Sequence, residues 1–305
     1  MNSTPNPGNT AVLLLAHGSP DSVDQVPDFL LQVTGGRPLP PSVVEEVKHR
    51  YGLIGRSPLT DLTLRQGDLL ARELGLPVYV GMRNWKPFVA DAVRAMTLDG
   101  VKRAVVICLA PQNSRTSVGL YRSALGNGVP FTIDFVESWH DHPLLIEGFA
   151  EKLRSGLERA RHDMGTKIPI IFTAHSVPQR TITEGDPYEE QAKETASLVA
   201  RQAQLSPEDW RFAFQSQGMS GGAWLGPTVE ATIINLKEKG HRGVFLQPIG
   251  FLCDHVEVLY DIDVGFKQFA EKEGVRLWRA ESLNDSLLLA KALADIARSR
   301  LSNTT

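Results

Sequence analysis

Eight short apolar, β-rich runs alternate with longer amphipathic stretches, and this alternation constrains the fold more than any single motif. The runs fall at 11–16, 77–81, 104–109, 132–136, 168–173, 211–215, 244–248 and 275–278. Helix-period stretches occupy 42–51, 60–74, 88–96, 143–164, 188–204, 228–239 and 286–301. Ser42 and Glu45 open the first of them in capping-box spacing. Strands that are apolar throughout, rather than alternating, imply parallel sheets covered by helices on both faces. The expected fold class is therefore α/β. At 305 residues the chain suits two cores better than one, because domains average about 150 residues. The natural division is two sheets of about four strands, with a boundary near 138–143 that gives an N-terminal domain 1–140 and a C-terminal domain 141–305. The helix at 286–301 is free to pack back on the first domain.

Composition removes several function classes. Hydrophobic content of 42% and charged content of 22% are ordinary for a globular chain, and only the Asn-, Pro-, Ser- and Thr-rich start, 1–10, reads as disordered. A net charge of −3 with scattered Lys and Arg lacks the basic face of a nucleic-acid binder. No apolar run reaches the roughly 18 residues of a membrane span, and no basic-then-apolar leader opens the chain, so a cytoplasmic location is expected. Cys108 and Cys253 are too few to ligate an iron–sulfur cluster and read as two buried reduced thiols.

In folds of this class, ligands sit outside the carboxyl ends of the strands. Those positions hold His17-Gly18-Ser19, Met82-Arg83-Asn84-Trp85, Pro111-Gln112-Asn113-Ser114, His175-Ser176, Gln215-Ser216-Gln217-Gly218 and the run from Gly250 to Glu257. No Gly-x-Gly-x-x-Gly or Gly-Lys-Ser/Thr turn is among them, which argues against a nucleotide. His175, ending an apolar run, is placed to bind a borderline metal ion or accept a proton; the alternative is a satisfied core histidine. Asp254 and Glu257 have capping-box spacing, the structural reading of Glu257. Yet Glu257 and Asp261 share a helix face, where two carboxylates gain from a cation between them. His17, in a turn shaped by Gly18 and Pro20, is either aimed at the ligand or bonded to nearby backbone. Tyr51, Trp85, Tyr121, Trp139 and Trp224 are candidate walls for a flat ligand, with Arg50, Arg56, Arg83, Lys86, Arg115 and Arg122 available for its carboxylates.

These features together resemble the ferrochelatase family over nearly the whole chain. The motifs are Ala16-His17-Gly18-Ser19-Pro20, Tyr51-Gly52-Leu53-Ile54-Gly55-Arg56-Ser57-Pro58-Leu59, Gly81-Met82-Arg83-Asn84-Trp85-Lys86-Pro87 and Thr173-Ala174-His175-Ser176-Val177-Pro178. They continue with Gln215-Ser216-Gln217, Trp224-Leu225-Gly226-Pro227, Pro248-Ile249-Gly250-Phe251 and Asp254-His255-Val256-Glu257. Leu109-Ala110-Pro111-Gln112 and Glu137-Ser138-Trp139 look like the bacterial, soluble branch whose substrate is coproporphyrin III; Arg83-Asn84-Trp85-Lys86 looks more like the protoporphyrin IX enzymes.

The resemblance implies two Rossmann-like, chelatase-type halves around a porphyrin cleft, and an enzyme of haem biosynthesis that inserts Fe²⁺. It implies His175 and Glu257 as the pair for iron delivery and proton removal. His17 and Asp261 join them as metal contacts, and His255 or Asp261 as a relay. Arg50, Tyr51, Ser57 and Tyr121 match porphyrin-contacting positions, with His17 and Trp85 beside them. Fe²⁺ is then a substrate, with no prosthetic group and no iron–sulfur cluster. The expected partners are the porphyrin and the neighbouring haem-pathway enzymes, and the expected oligomeric state is a monomer. The coproporphyrin branch often has Tyr where His17 stands, whereas His-Gly-Ser there resembles the cobalt and sirohydrochlorin chelatases. A chelatase of that kind is thus one alternative reading; a non-catalytic haem- or porphyrin-binding protein is another.

Overall fold

The computed structural model describes residues 9–126, 128–218 and 222–302, so most of the polar leader lies outside the described residues. Each expected strand forms within two residues of its anticipated limits, and the chain divides into two compact units, each with one four-stranded parallel sheet.

The first unit comprises Met1–Pro111, Ser117–Trp139 and Asn284–Thr305. Its strands are β1 (Thr10–Ala16), β2 (Val78–Met82), β3 (Arg103–Cys108) and β4 (Thr132–Val136), in the order β2-β1-β3-β4. β1 is central and buried on both faces, as its unbroken apolar run requires. Its helices are α1 (Val26–Val33), α2 (Pro41–Ile54), α3 (Leu59–Leu74), α4 (Val89–Leu98) and α5 (Val118–Leu125), together with the terminal helix Leu287–Ser302. Ala11, Leu13, Leu15 and Val106 pack against Val89, Ala92 and Met96 of α4 and Val118, Tyr121 and Leu125 of α5. On the opposite face α3 approaches so closely that a Cβ on Gly67 would lie 2.9 Å from Val80 Cγ2. The terminal helix packs on α3 and β3, so the second unit ends at Leu283 rather than at the C-terminus.

The second unit comprises Gln112–Thr116 and His140–Leu283. It repeats the topology with β5 (Ile170–His175), β6 (Trp210–Gln215), β7 (Gly243–Pro248) and β8 (Arg276–Arg279), in the order β6-β5-β7-β8. After β5 come α7 (Gln179–Thr183), α8 (Tyr188–Gln202) and α9 (Val229–Glu238); α6 (Pro143–Met164) precedes it. After β7 the chain forms α10 (Val256–Leu259), a π-helical stretch Asp261–Phe266, and α11 (Lys267–Lys272). Val258, Ile262, Phe266 and Ala270 face a core made with Ile171, Val244, Leu246 and Ile233. That stripe repeats every four residues, and at 3.6 residues per turn it would drift by roughly 40° per step. The wider π turn, with Gly265 N–H bonded to Tyr260 O at 2.9 Å, holds the stripe on the sheet.

Two local expectations are corrected. Ser42 does not cap α2: the helix starts at Pro41 with Pro40 as N-cap and no side-chain cap bond, and Glu45 pairs with Lys48 at 2.9 Å. Proline fits there because its missing N–H has no intrahelical partner anyway. The second correction, at Asp254, belongs to the site described next. Among the described residues no helix is long and apolar enough to cross a membrane.

Candidate functional site

In each sheet the chain order reverses beside the first strand, and that strand's carboxyl end carries a histidine: His17 directly after β1 and His175 as the last residue of β5. Both stand in an Ala-His-x-x-Pro segment, 16–20 and 174–178. Each ring bonds to the carbonyl of the next residue, His17 Nδ1 to Gly18 O at 2.9 Å and His175 Nδ1 to Ser176 O. A carbonyl only accepts, so Nδ1 carries the proton and the neutral ring presents its lone pair at Nε2. What meets that lone pair differs between the two.

In the second unit His175 Nε2 faces Glu257 Oε1 at 3.8 Å, and His255 Nε2 faces Glu257 Oε2 at 3.6 Å. Both separations exceed a hydrogen bond. A first-row divalent ion bonded at about 2.1 Å to a nitrogen and an oxygen leaves them roughly 3 to 4 Å apart, so the His175–Glu257 gap fits one. His175 and Glu257 side chains are 32% and 37% exposed, which leaves them open to an incoming ion. His255 is held by Nδ1 donating to Cys253 O at 2.9 Å and by the Phe251 ring at 4.6 Å. Burial opposes charge on His255, but the nearby Glu257 carboxylate, the Cys253 carbonyl and the charge of Asp261 outweigh it and raise its pKa.

Glu257 is not a capping-box residue. The N-cap of α10 is His255, with no side-chain cap bond. Asp254 instead accepts from Ser282 Oγ at 2.8 Å and pairs with Arg279 at 3.3 Å. Arg279 also makes a bidentate pair with Asp263, at 2.7 and 2.8 Å. Burial disfavours the Arg279 charge, but these carboxylates more than offset it and raise its pKa. On the other side of the helical segment, buried Gln215 donates from Nε2 to Glu257 O at 3.0 Å and accepts from Thr173 Oγ1 at 3.2 Å. Ser216, at φ +57°, donates Oγ–H to Asp261 Oδ2. Such a strained backbone at a strand end persists only where its surroundings hold it. Strand β5 and the helix that carries Glu257 are thus tied through one amide, a link the sequence reading did not identify.

Asp261 therefore spends its carboxylate partly on Ser216. Among the described residues no set of three or more His, Cys, Asp or Glu side chains converges to hold a metal ion. The expected four-residue metal set of His175, Glu257, His17 and Asp261 is not one cluster. A two-donor arrangement suits a cation in transit, since a resident metal takes three or four protein ligands.

In the first unit Asn84 Nδ2 donates to His17 Nε2 at 3.0 Å, so that lone pair meets a neutral amide instead of a carboxylate. Phe29, on the unforeseen α1, lies edge-on to His17, Tyr51 and Trp85 at 6.0, 6.4 and 6.2 Å. Tyr51, Ser57, Trp85 and Tyr121 are buried, and Tyr51 Oη bonds Ser19 Oγ at 3.1 Å. Ser57 Oγ is buried without a partner, an unusual state for a hydroxyl unless a ligand or water completes it. Of the cations considered above, Arg50, Arg56, Arg115 and Arg122 pair with Glu46, Asp61, Glu184 and Glu137. Arg83 has no carboxylate partner among the described residues, and its Nε is buried and unbonded. Burial lowers its pKa, with only Tyr121 opposing. A guanidinium so placed favours a ligand carboxylate.

A ferrochelatase family model matches residues 9–301. A ferrochelatase of Acidobacterium capsulatum is 54% identical over 95% of this chain and 94% of its own length. A coproporphyrin III ferrochelatase of a Geobacillus species is 35% identical over 95% of this chain and 97% of its own length. Sirohydrochlorin chelatase SirB of Bacillus subtilis subspecies spizizenii, solved with cobalt, superposes at a TM-score of 0.58 with 8% identity, covering 97% of each chain, and so shares the fold. Strand-end histidines on a duplicated parallel-sheet scaffold, a facing imidazole and carboxylate, and these matches along the chain place it in the ferrochelatase family of metal chelatases.

Proposed function

We propose that this chain inserts Fe²⁺ into coproporphyrin III, with His175 and Glu257 as the metal-handling and proton-accepting pair. The observation that carries the reading is the 3.8 Å separation of His175 Nε2 and Glu257 Oε1, with His175 Nδ1 anchored on backbone. Neutral imidazole and ionised carboxylate together suit a borderline divalent ion. Insertion releases two pyrrole N–H protons for each Fe²⁺ that enters, and the same two side chains are bases of suitable strength to accept them. His255 and Asp261 orient the pair. Distortion of the bound macrocycle, which exposes its nitrogen lone pairs, draws on binding energy from the rest of the porphyrin.

His17, Arg50, Tyr51, Ser57, Trp85 and Tyr121 are the porphyrin-binding residues of this reading, together with Arg83 and with Phe29, which lies edge-on to His17, Tyr51 and Trp85. His17 becomes an axial ligand of the product iron only by exchanging its Asn84 bond. Fe²⁺ and porphyrin are both substrates and no prosthetic group takes part. The enzyme works as a cytoplasmic monomer between the enzymes that supply the porphyrin and those that consume the product. The unpartnered guanidinium of Arg83 favours a substrate rich in carboxylates. Arg83→Met is expected to raise the coproporphyrin KM roughly tenfold, the loss of one charge-assisted hydrogen bond, with kcat nearly unchanged in steady-state assays.

The test of the reaction is an anaerobic Fe²⁺ insertion assay read by absorbance, with coproporphyrin III, protoporphyrin IX and sirohydrochlorin side by side. Fast coproporphyrin turnover is expected. Faster protoporphyrin turnover would change the substrate, and preference for sirohydrochlorin would change the chelatase type. Tight porphyrin binding with no insertion into any of the three would leave a carrier.

A further inference from the structure

We propose that Tyr188 is a positioning residue for His175, its phenol supplying the hydrogen bond that the sheet fails to supply at the end of β5. The inference rests on the reading of His175 given above. On its β7 side, β5 is paired only from Ile170 to Thr173, where Pro248 stands opposite Thr173. The last backbone bond there runs from Ile249 N–H to Thr173 O at 2.9 Å. Carbonyls two residues apart in a strand point to the same neighbour, so His175 O is the next acceptor on that side. No strand residue is paired with His175 on that side, because the chain bends at Gly250. On the other side the ladder continues to its end, with Ser176 N–H bonded to Gln215 O at 2.7 Å.

Tyr188 fills the gap: its hydroxyl donates to His175 O at 2.9 Å from the first residue of α8. The ring is buried and its backbone is fixed, because Tyr188 N–H donates to Asp186 Oδ1 at 3.0 Å. The other Asp186 oxygen accepts from Ser114 Oγ at 3.1 Å and Arg115 N–H at 2.7 Å. Glycine at 250 lets the chain pass close to Ala174 beside the phenol. A Cβ there would sit 3.2 Å from Ala174 Cβ and 3.7 Å from the Tyr188 hydroxyl.

The consequence for His175 is direct. The peptide linking His175 to Ser176 is gripped at its carbonyl by the phenol, while the imidazole is gripped by the carbonyl one residue later. Both restraints fix where Nε2 points. Without the phenol the carbonyl loses its partner in a partly buried place, and the peptide plane turns to find another. The ring turns with it, away from Glu257. Small misplacements of a ligating or proton-accepting atom lower kcat far more than they lower substrate binding.

The experiment is Tyr188→Phe, which keeps the ring and removes only the hydroxyl, assayed anaerobically beside wild type and His175→Ala. The expected result is a kcat for insertion lowered roughly tenfold or more, a raised KM for Fe²⁺, and a porphyrin KM within about twofold of wild type. Co²⁺ titrated into the porphyrin-free protein gives a second reading: its visible ligand-field bands should weaken or shift in Tyr188→Phe. Should that variant fail to fold, Ser114→Ala, which removes one bond from Asp186, should produce the same pattern on a smaller scale. Wild-type kcat and wild-type Co²⁺ bands in Tyr188→Phe, with His175→Ala inactive, would overturn the inference. Undiminished insertion by His175→Ala would overturn the underlying reading instead, whatever Tyr188→Phe does.

Discussion

Glu257→Gln is expected to lower metal insertion by about three orders of magnitude without unfolding the protein. The substitution keeps the shape of the side chain and the bond from Gln215 Nε2 to the residue's backbone carbonyl. It removes the negative charge facing His175 and His255. Two losses then combine. The ion loses its anionic ligand, and the pyrrole protons lose a base, an effect that alone spans roughly 10² to 10⁴ in rate. His175→Ala should be at least as severe, because it removes the nitrogen ligand together with the second base. Both side chains are about one-third exposed, so the melting temperature should move by only a few degrees. Anaerobic insertion kinetics and a thermal melt on the same preparations settle the matter. Turnover of Glu257→Gln within tenfold of wild type would remove Glu257 from the chemistry.

A large loss of stability from a single methyl group is expected at Gly18, and Gly36 supplies its control. Both residues have positive φ, +83° and +85°, where a side chain costs about 1 kcal/mol. Around Gly36 nothing lies within 4 Å of an added Cβ. At Gly18 the same atom would meet Trp85 N at 2.8 Å, Trp85 Cβ at 2.9 Å and Met82 Cβ at 3.1 Å. The closest of these is backbone, so the loop 83–85 must move. Gly36→Ala should therefore cost about 1 kcal/mol or less, part of it returned by a stiffer unfolded chain. Gly18→Ala adds an overpacking cost of roughly 1 to 3 kcal/mol. Because Gly18 O holds His17 Nδ1 and Asn84 holds Nε2, porphyrin affinity should fall as well. Thermal melts and porphyrin fluorescence titrations of the two variants separate backbone strain from contact. Equal melting temperatures would show that the loop yields freely.

The strands were legible because unbroken apolar runs such as 11–16 and 168–173 leave few other folds open, and their ends pointed to His17 and His175. α1 and α5 were not: each has only eight residues, and Pro27 or Gly119 interrupts the helical signal. The helical segment after Asp254 was anticipated, but the π turn within it was not, for a different reason. Its apolar stripe at 258, 262, 266 and 270 fits neither the strand period nor an ordinary helix, and a strict four-residue step is itself the mark of the wider turn. The Asp254–Glu257 spacing misled because a local motif competes with distant partners: Asp254 is claimed by Ser282 and Arg279, more than twenty residues away. Gln215 and Tyr188 act through backbone carbonyls, so residue type carried no signal for their roles; Asn84 stood at a strand end, but nothing in the sequence paired it with His17. Phe29 was hidden with its helix.

The twin strand-end histidines have a consequence for where a cation comes to rest. Their backbones and ring anchors are alike, so the choice between them falls to one neighbour each, Glu257 or Asn84. At an effective dielectric of about 20, a carboxylate charge 4 Å from a positive one is worth about 4 kcal/mol per unit charge. An amide supplies no such net charge. A divalent ion sampling both imidazoles would therefore partition to His175 by more than a thousandfold, so a single acidic side chain breaks the degeneracy of a doubled scaffold.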